Sequence, residues 1–223
     1  MRFLRKGLLI GGVALLGVGV MNAADVPTGV VSDAVLAQVD GADAALGANV
    51  YAGDALNTHP GGTLRMRVGS GQLFMLGSSD ASLTQDHGRI DMLMKRGTAG
   101  LSGTIDDPFE IDTPVGTLRP ANDKHAFGQV TIAGASQIIV TSYEGTLSLT
   151  HDGEERMIEA GKAYRITLAS EPASPAAPYP QGGQGAGTGS NHQRLIVDVI
   201  LLGGAGAIGY AVWHHVTESP SNP

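Results

Sequence analysis

The sequence predicts an all-β domain of many short strands, with a hydrophobic helix at each end of the chain. Three observations support this fold class. Apolar and polar residues alternate over short runs, as they do along half-buried strands. Turn signals separate these runs at intervals of about 8–12 residues, the spacing found in sandwiches, barrels and solenoids. Glycine accounts for 33 of the 223 residues, well above the usual share of about 7%.

Residues 63–68 show the strand pattern most clearly. Leu64, Met66 and Val68 face one way, while Arg65 and Arg67 face the other. Similar runs predict strands at residues 72–76, 81–84, 90–94, 109–113, 130–132, 137–143, 146–150, 156–159 and 164–168. The turns between them are marked by Gly53-Asp54, Gly69-Ser70-Gly71, His87-Gly88, Glu144-Gly145 and Asp152-Gly153.

Residues 1–24 have the parts of an export signal. Three basic residues precede an uncharged apolar run from Leu8 to Met21, and the small residues Ala23 and Ala24 follow. This segment is predicted to be a signal peptide, or a signal anchor where it is not cleaved. Either form places the main domain on the outer side of a bacterial membrane, facing the periplasm or the exterior, because the basic flank stays inside.

A second apolar run extends from Leu195 to Val216. As a helix it would span about 33 Å, close to the thickness of the hydrocarbon core of a bilayer. It is predicted to be a transmembrane helix, and its Gly-rich spacing permits a homodimer contact. Residues 35–168 would then form the folded domain. Residues 170–193, rich in Pro and Gly, would be the linker between the domain and the membrane.

Charge and cysteine content exclude several functional classes. Residues 25–190 carry 10 basic and 19 acidic side chains, so this surface repels nucleic acid. The chain has no cysteine, which excludes disulfides and thiolate chemistry. Aromatic residues make up only 4%, so the core is expected to be aliphatic, with Met66, Met75, Met92 and Met94 packed in it rather than binding a soft metal.

Catalytic motifs are missing. The sequence has no G-x-S-x-G elbow, no H-E-x-x-H pair and no P-loop. Its histidines His59, His87, His125 and His151 are scattered through predicted turns, where a solvated side chain is the usual outcome. The chain is therefore expected not to be an enzyme and to hold neither a cofactor nor a metal.

An ordered series of motifs resembles the FecR domain. Val50-Tyr-Ala-Gly-Asp-Ala-Leu-Asn-Thr58 is similar to that family's l-x-x-G-D-x-l-x-T, and Phe109-Glu-Ile-Asp-Thr-Pro-Val115 is similar to its f-x-v-x-T-P-x-a. Glu144-Gly-Thr-Leu-Ser-Leu149 and Ala160-Gly-Lys-Ala-Tyr164 resemble the later e-G-x-v-x-v and a-G-q segments. The series covers about residues 35–168 in the family's order. The resemblance implies a FecR-like β-sandwich or β-solenoid.

The resemblance singles out seven residues with a structural or an interaction role. They are Gly53, Asp54, Thr113, Pro114, Arg119, Gly145 and Gly161. The glycines at 53 and 161 also mark tight turns that favour a residue without Cβ, and the proline ends a strand because it cannot donate to a ladder. Arg119 stands in for the family's arginine after T-P, but the Gly-Thr expected next is replaced by Pro120 and Ala121.

The implied function is that of a membrane-tethered extracytoplasmic domain that binds an envelope protein in signalling or scaffolding. Only residues 1–7 precede the first apolar run, so no cytoplasmic sigma-factor-binding segment is predicted. The iron-citrate signalling role of the regulators that name the family is therefore not transferred. Two alternatives stay open. One is a module that binds envelope polysaccharide or peptidoglycan, which the low aromatic content disfavours, and the other is a hydrolase with dispersed catalytic residues.

Overall fold

A computed structural model describes residues 26–170 and 193–200, and in these residues it contains strands and no helix. All fifteen strands belong to one hydrogen-bonded sheet. This confirms the all-β class, while the hydrophobic segment at residues 1–24 lies outside the described residues. The strands are β1 (Gly29–Val39), β2 (Ala42–Asp43), β3 (Asn49–Val50), β4 (Ala55–Val68), β5 (Gly71–Met75), β6 (Asp80–Asp86), β7 (Arg89–Gly103), β8 (Phe109–Thr113), β9 (Gly116–Pro120), β10 (Ala126–Gly134), β11 (Gln137–Glu144), β12 (Leu147–His151), β13 (Glu154–Ile158), β14 (Lys162–Ser170) and β15 (Gln193–Ile200).

Strand β7 organises the sheet, because its two halves have different neighbours. Before Gly97 it pairs with β6 and β8, and after Gly97 it pairs with β5 and β10. Gly97 has a φ of 87°, which an L side chain rarely adopts. Two branches therefore leave β7, one through β8, β9, β12 and β13, the other through β10, β11, β14 and β15. Strands β5 and β6 also pair with β4, which pairs with β1.

The pairing of β7 with β8 is parallel, whereas every other ladder of the described strands is antiparallel. The chain leaves β7 at Gly103, turns through residues 104–108, and starts β8 beside Ile90. The amide of Ile90 donates to the carbonyl of Pro108 at 2.7 Å. Strand β7 thus curves enough to bring its end next to its beginning.

The two branches pack face to face around one core. In the first branch, Met92, Ile111, Leu118 and Leu149 occupy one row of the ladders and are fully buried. The second branch contributes a comparable set to the same cluster, namely Val130, Ile138, Val140 and Ile166. The four methionines named above are also buried, as expected, so burial of aliphatic surface is the main stabilising term.

Several strands of the structure were not predicted from the sequence. Strand β1 begins at Gly29, before the expected domain limit. The other strands that were not predicted are β2, β3, residues 55–62 of β4, the second half of β7, and β9. The alternation of β1 is broken by irregularities around Ser32 and Leu36, where the chain changes face. The second half of β7 is rich in Gly and small residues, so it shows no apolar alternation.

The start of the predicted transmembrane helix is corrected. Leu195 to Ile200 belong to β15, which pairs antiparallel with β14 from Ala163↔Ile200 to Ser170↔Gln193. Leu195 and Val197 pack against the core, and Ile196 and Asp198 face outward, so this β-branched stretch has the period of a strand. Residues 201–216 and 171–192 lie outside the described residues. Within the described ranges there is no helix with the length and apolar content to cross a bilayer.

Candidate functional site

A cleft of about 230 Å³ opens where the β6–β7 turn, the 104–108 loop and the end of β9 meet. Its charged lining includes Arg89, Glu110 and Arg119, which come from three neighbouring strands. The remaining lining residues are His87, Gly88, Ile105, Asp106, Asp107, Pro108, Phe109 and Pro120. Since Arg119 is one of the residues that the sequence singled out, we call this feature the charged cleft.

The loop that forms one wall of the charged cleft is held by Asp107. One oxygen of this buried carboxylate accepts a hydrogen bond from Ser70 Oγ at 2.5 Å, and the other accepts one from the amide of Thr104 at 2.8 Å. The first bond joins the loop to the turn between β4 and β5. The second closes the loop on itself, so the wall is fixed before any ligand arrives.

Charges alternate along the outer face beside the cleft. A guanidinium nitrogen of Arg89 lies 2.8 Å from a carboxylate oxygen of Glu110, and one of Arg119 lies 3.8 Å from Glu155. Both arginine side chains remain partly exposed. Because a guanidinium has five N–H donors, each retains donors for a partner. The row Arg89, Glu110, Arg119 and Glu155 is named the charge row.

Asp91 lies next to the charge row and has an unusual environment. Burial, followed by the negative charges of Glu110 and Asp112, raises the pKa of its carboxyl to about 6 against the opposing effect of Arg89. Glu110 faces Asp91 directly in the β7–β8 ladder. The Oδ1 atom of Asp91 is buried and has no hydrogen-bond partner. The ionised form of this carboxyl is therefore poorly accommodated.

Replacing Asp91 with asparagine is expected to stabilise the domain at pH 7 and to remove part of its pH dependence. The unfolded carboxyl titrates near 3.8 and the folded one near 6. Between these values the folded state binds the extra proton, so the free energy of unfolding falls as pH rises. After allowance for solvent screening of a partly exposed group, Asp91→Asn should raise the free energy of unfolding at pH 7 by about 1 kcal/mol. Urea unfolding at pH 4, 5, 6 and 7 measures it.

The control for this prediction is Asp123→Asn, which neutralises an exposed carboxylate. That variant should follow the pH profile of the unchanged protein. Identical pH slopes for Asp91→Asn and the unchanged protein would show that Asp91 does not hold its proton in the folded state.

Of the seven residues singled out by the sequence, only Arg119 lies in the charged cleft. Gly53, Gly145 and Gly161 have φ of 98°, 65° and 75° and form turns. A Cβ on Gly145 would also lie 2.4 Å from the carbonyl oxygen of His125. Asp54 accepts from the amide of Tyr51 at 2.8 Å in the first of these turns. Their surroundings are those of turn formers.

Thr113 and Pro114 belong to the turn between β8 and β9. The hydroxyl of Thr113 accepts hydrogen bonds from the amides of Val115 and Gly116, both at 3.2 Å, and donates to the carbonyl of Gly116 at 2.7 Å. Pro114 follows the last residue of β8, as predicted. This turn sets the register that brings Arg119 to the end of β9.

The fold also brings together Ser102, His125 and Glu144, which the sequence did not connect. Ser102 Oγ lies 2.9 Å from His125 Nε2, and His125 Nδ1 lies 3.9 Å from a carboxylate oxygen of Glu144. The second distance exceeds a hydrogen bond, so the carboxylate does not orient the imidazole. None of the three lines the charged cleft. The contact ties the loop before β10 to β7, and we assign it no catalytic role.

Asp91, Arg89 and Glu110 were missed by the sequence interpretation. Alternation along β7 and β8 was visible, but only the parallel register places these side chains together. Among the described residues, no three His, Asp or Glu side chains are grouped so that they could hold a metal ion. In comparisons with known proteins, no protein-family model matches the chain and no curated protein is significantly similar to it.

Proposed function

We propose that the chain is a FecR-like extracytoplasmic domain, held at a bacterial membrane, that binds another envelope protein through the charged cleft and the charge row. The observation that carries this proposal is the fixed cleft with two partly exposed arginines, Arg89 on β7 and Arg119 on β9, on either side of β8. Arginine is enriched at protein interfaces because its planar group makes several directed hydrogen bonds. Alternating charge fixes the register of a bound partner.

The lining of the cleft favours a protein partner over a glycan. Sugar rings are commonly bound by stacking on an exposed aromatic face, and the aromatic residue here, Phe109, is only 2% exposed. Its ring packs into the core instead. The mixture of charged and proline side chains suits the polar rim of a protein interface.

Site-specific cross-linking in intact cells tests the proposal. A photoreactive amino acid at His87, whose side chain is 93% exposed at the edge of the cleft, should give a covalent adduct with a second protein. The matched control carries the same group at the exposed Lys162 on β14 and should not give this adduct. Arg119→Ala should reduce the yield about tenfold, as expected for one interface arginine, and Arg119→Lys should reduce it less.

Three outcomes would contradict the proposal. The first is equal adducts at both positions, and the second is an adduct with glycan alone. The third is a domain that externally added protease cannot reach in spheroplasts, since this would place it inside the cell.

A further inference from the structure

The outer edge of β15 is open among the described strands and differs from the other end of the sheet. At that other end, β13 exposes Glu154, Glu155 and Arg156, and charged side chains are a common protection against edge pairing. Strand β15 instead presents Leu195, Ile196 and Val197, with Ile196 48% exposed. Eight residues pair with β14 on one side, and β14 is the only described partner of β15.

We propose that this edge pairs with the same edge of a second copy of the chain, so that the sheet continues across a two-fold axis. Two-fold antiparallel pairing requires one residue to face itself. When Ile196 does so, Leu195 faces Val197 and Arg194 faces Asp198 of the second copy. This is the only register that pairs the one basic residue of β15 with its one acidic residue.

The register is also consistent with the two faces of the sheet. Leu195 and Val197 lie on the core side, so their pairing extends the apolar layer. Ile196 and Asp198 lie on the outer face. In this register, positions 194 and 198 of the two copies oppose each other with opposite charges on each side of the isoleucines at the axis. Asp198 faces Arg165 of its own chain in the β14–β15 ladder, so it would lie between two arginines.

Disulfide trapping tests this contact, because the chain has no cysteine of its own. In the full-length chain in detergent, Ile196→Cys should form disulfide-linked dimers at least about tenfold faster than two matched variants. Thr167→Cys is one strand further in and faces residue 196 in the ladder. Met157→Cys lies at the opposite edge and is as exposed as Ile196.

Charge variants in the Ile196→Cys background test the register. Arg194→Asp would place two carboxylates together at each end and should slow cross-linking about tenfold, since like charges on directly opposed residues are destabilising. Arg194→Lys keeps the charge and should cross-link like the parent. The double variant Thr167→Cys, Ile196→Cys should form its disulfide within one chain whether or not Arg194 is changed, which shows that β15 stays paired with β14.

Equal cross-linking rates for the three single-cysteine variants would overturn the proposal, as would an Arg194→Asp variant that cross-links at the parental rate. A cysteine at 196 that neither cross-links nor reacts with a maleimide would also overturn it, because the edge would then be covered by another part of the same chain.

Discussion

Replacing Gly97 with alanine is expected to destabilise the domain by about 3 kcal/mol, the sum of backbone strain and a steric clash. The φ of Gly97 is 87°, so an added Cβ is strained. That atom would also lie 2.3 Å from Ser79 Oγ and 2.5 Å from Ser79 Cα. The serine cannot move aside easily, because its Oγ accepts from the amide of Thr98 at 2.8 Å and donates to the carbonyl of Thr98 at 3.0 Å.

Gly88→Ala is the matched control for Gly97→Ala. Gly88 has a similar φ of 85°, but no atom lies within 4 Å of the position of an added Cβ. Gly88→Ala introduces only the backbone strain, so it should lower the free energy of unfolding by about 1 kcal/mol. Urea unfolding followed by circular dichroism compares the two variants. Equal losses would mean that the bend in β7 tolerates a side chain beside Ser79.

The bend at Gly97 also explains which parts of the fold could be predicted from the sequence. Strands with a regular apolar period, such as residues 72–76 and 109–113, were predicted close to their observed positions, whereas 63–68 covers only the second half of β4. The pairing of β7 with both β8 and β10 could not be predicted, because it depends on one residue with positive φ inside a 15-residue strand. A pattern with a period of two reports burial, not curvature or neighbours.

The C-terminal segment shows a second limit of sequence patterns. A continuous apolar run from Leu195 onward satisfies the hydropathy of a membrane helix, yet it also contains Leu195 to Ile200 with the alternation of a strand. The mean hydropathy of a long window is high for a membrane helix and for a buried strand followed by apolar residues, so it cannot distinguish the two. The open edge of β14 decides the outcome locally, since β15 completes the hydrogen bonding of that edge.

The candidate site was predictable in part. Arg119 was singled out by a motif, and it lies in the charged cleft. Its neighbours Arg89, Asp91 and Glu110 were not singled out. They come close to Arg119 only because β8 pairs in parallel with β7 and also pairs with β9. The turn residues Gly53, Gly145 and Gly161 could be predicted from local backbone requirements alone, which is why their motifs are informative about the fold and not about the partner.

Replacing Phe127 with alanine is expected to destabilise the domain by about 3–5 kcal/mol. Phe127 is 1% exposed and lies on the face of β10 opposite the main core. Its ring stacks on Tyr143 with a centroid separation of 5.1 Å and tilts against Phe74 at 5.8 Å. Such ring pairs contribute beyond the burial of their area. Removing the ring leaves a cavity between two large side chains that cannot close by small shifts.

This aromatic cluster was not expected from a chain with 4% aromatic residues, and glycine makes it possible. A Cβ on Gly100 would lie 2.0 Å from Phe74 Cζ. Strand β7, which runs between the strands of Phe74 and Phe127, therefore needs a residue without a side chain at this position. Phe127→Leu should keep part of the packing, so its loss of unfolding free energy should be about 1–2 kcal/mol smaller than that of Phe127→Ala. Met157→Ala, at a side chain 52% exposed, should change stability by no more than about 0.5 kcal/mol. If thermal unfolding gives Phe127→Ala the same midpoint as Met157→Ala, the second face of the sheet contributes nothing to stability and the main core carries the fold by itself.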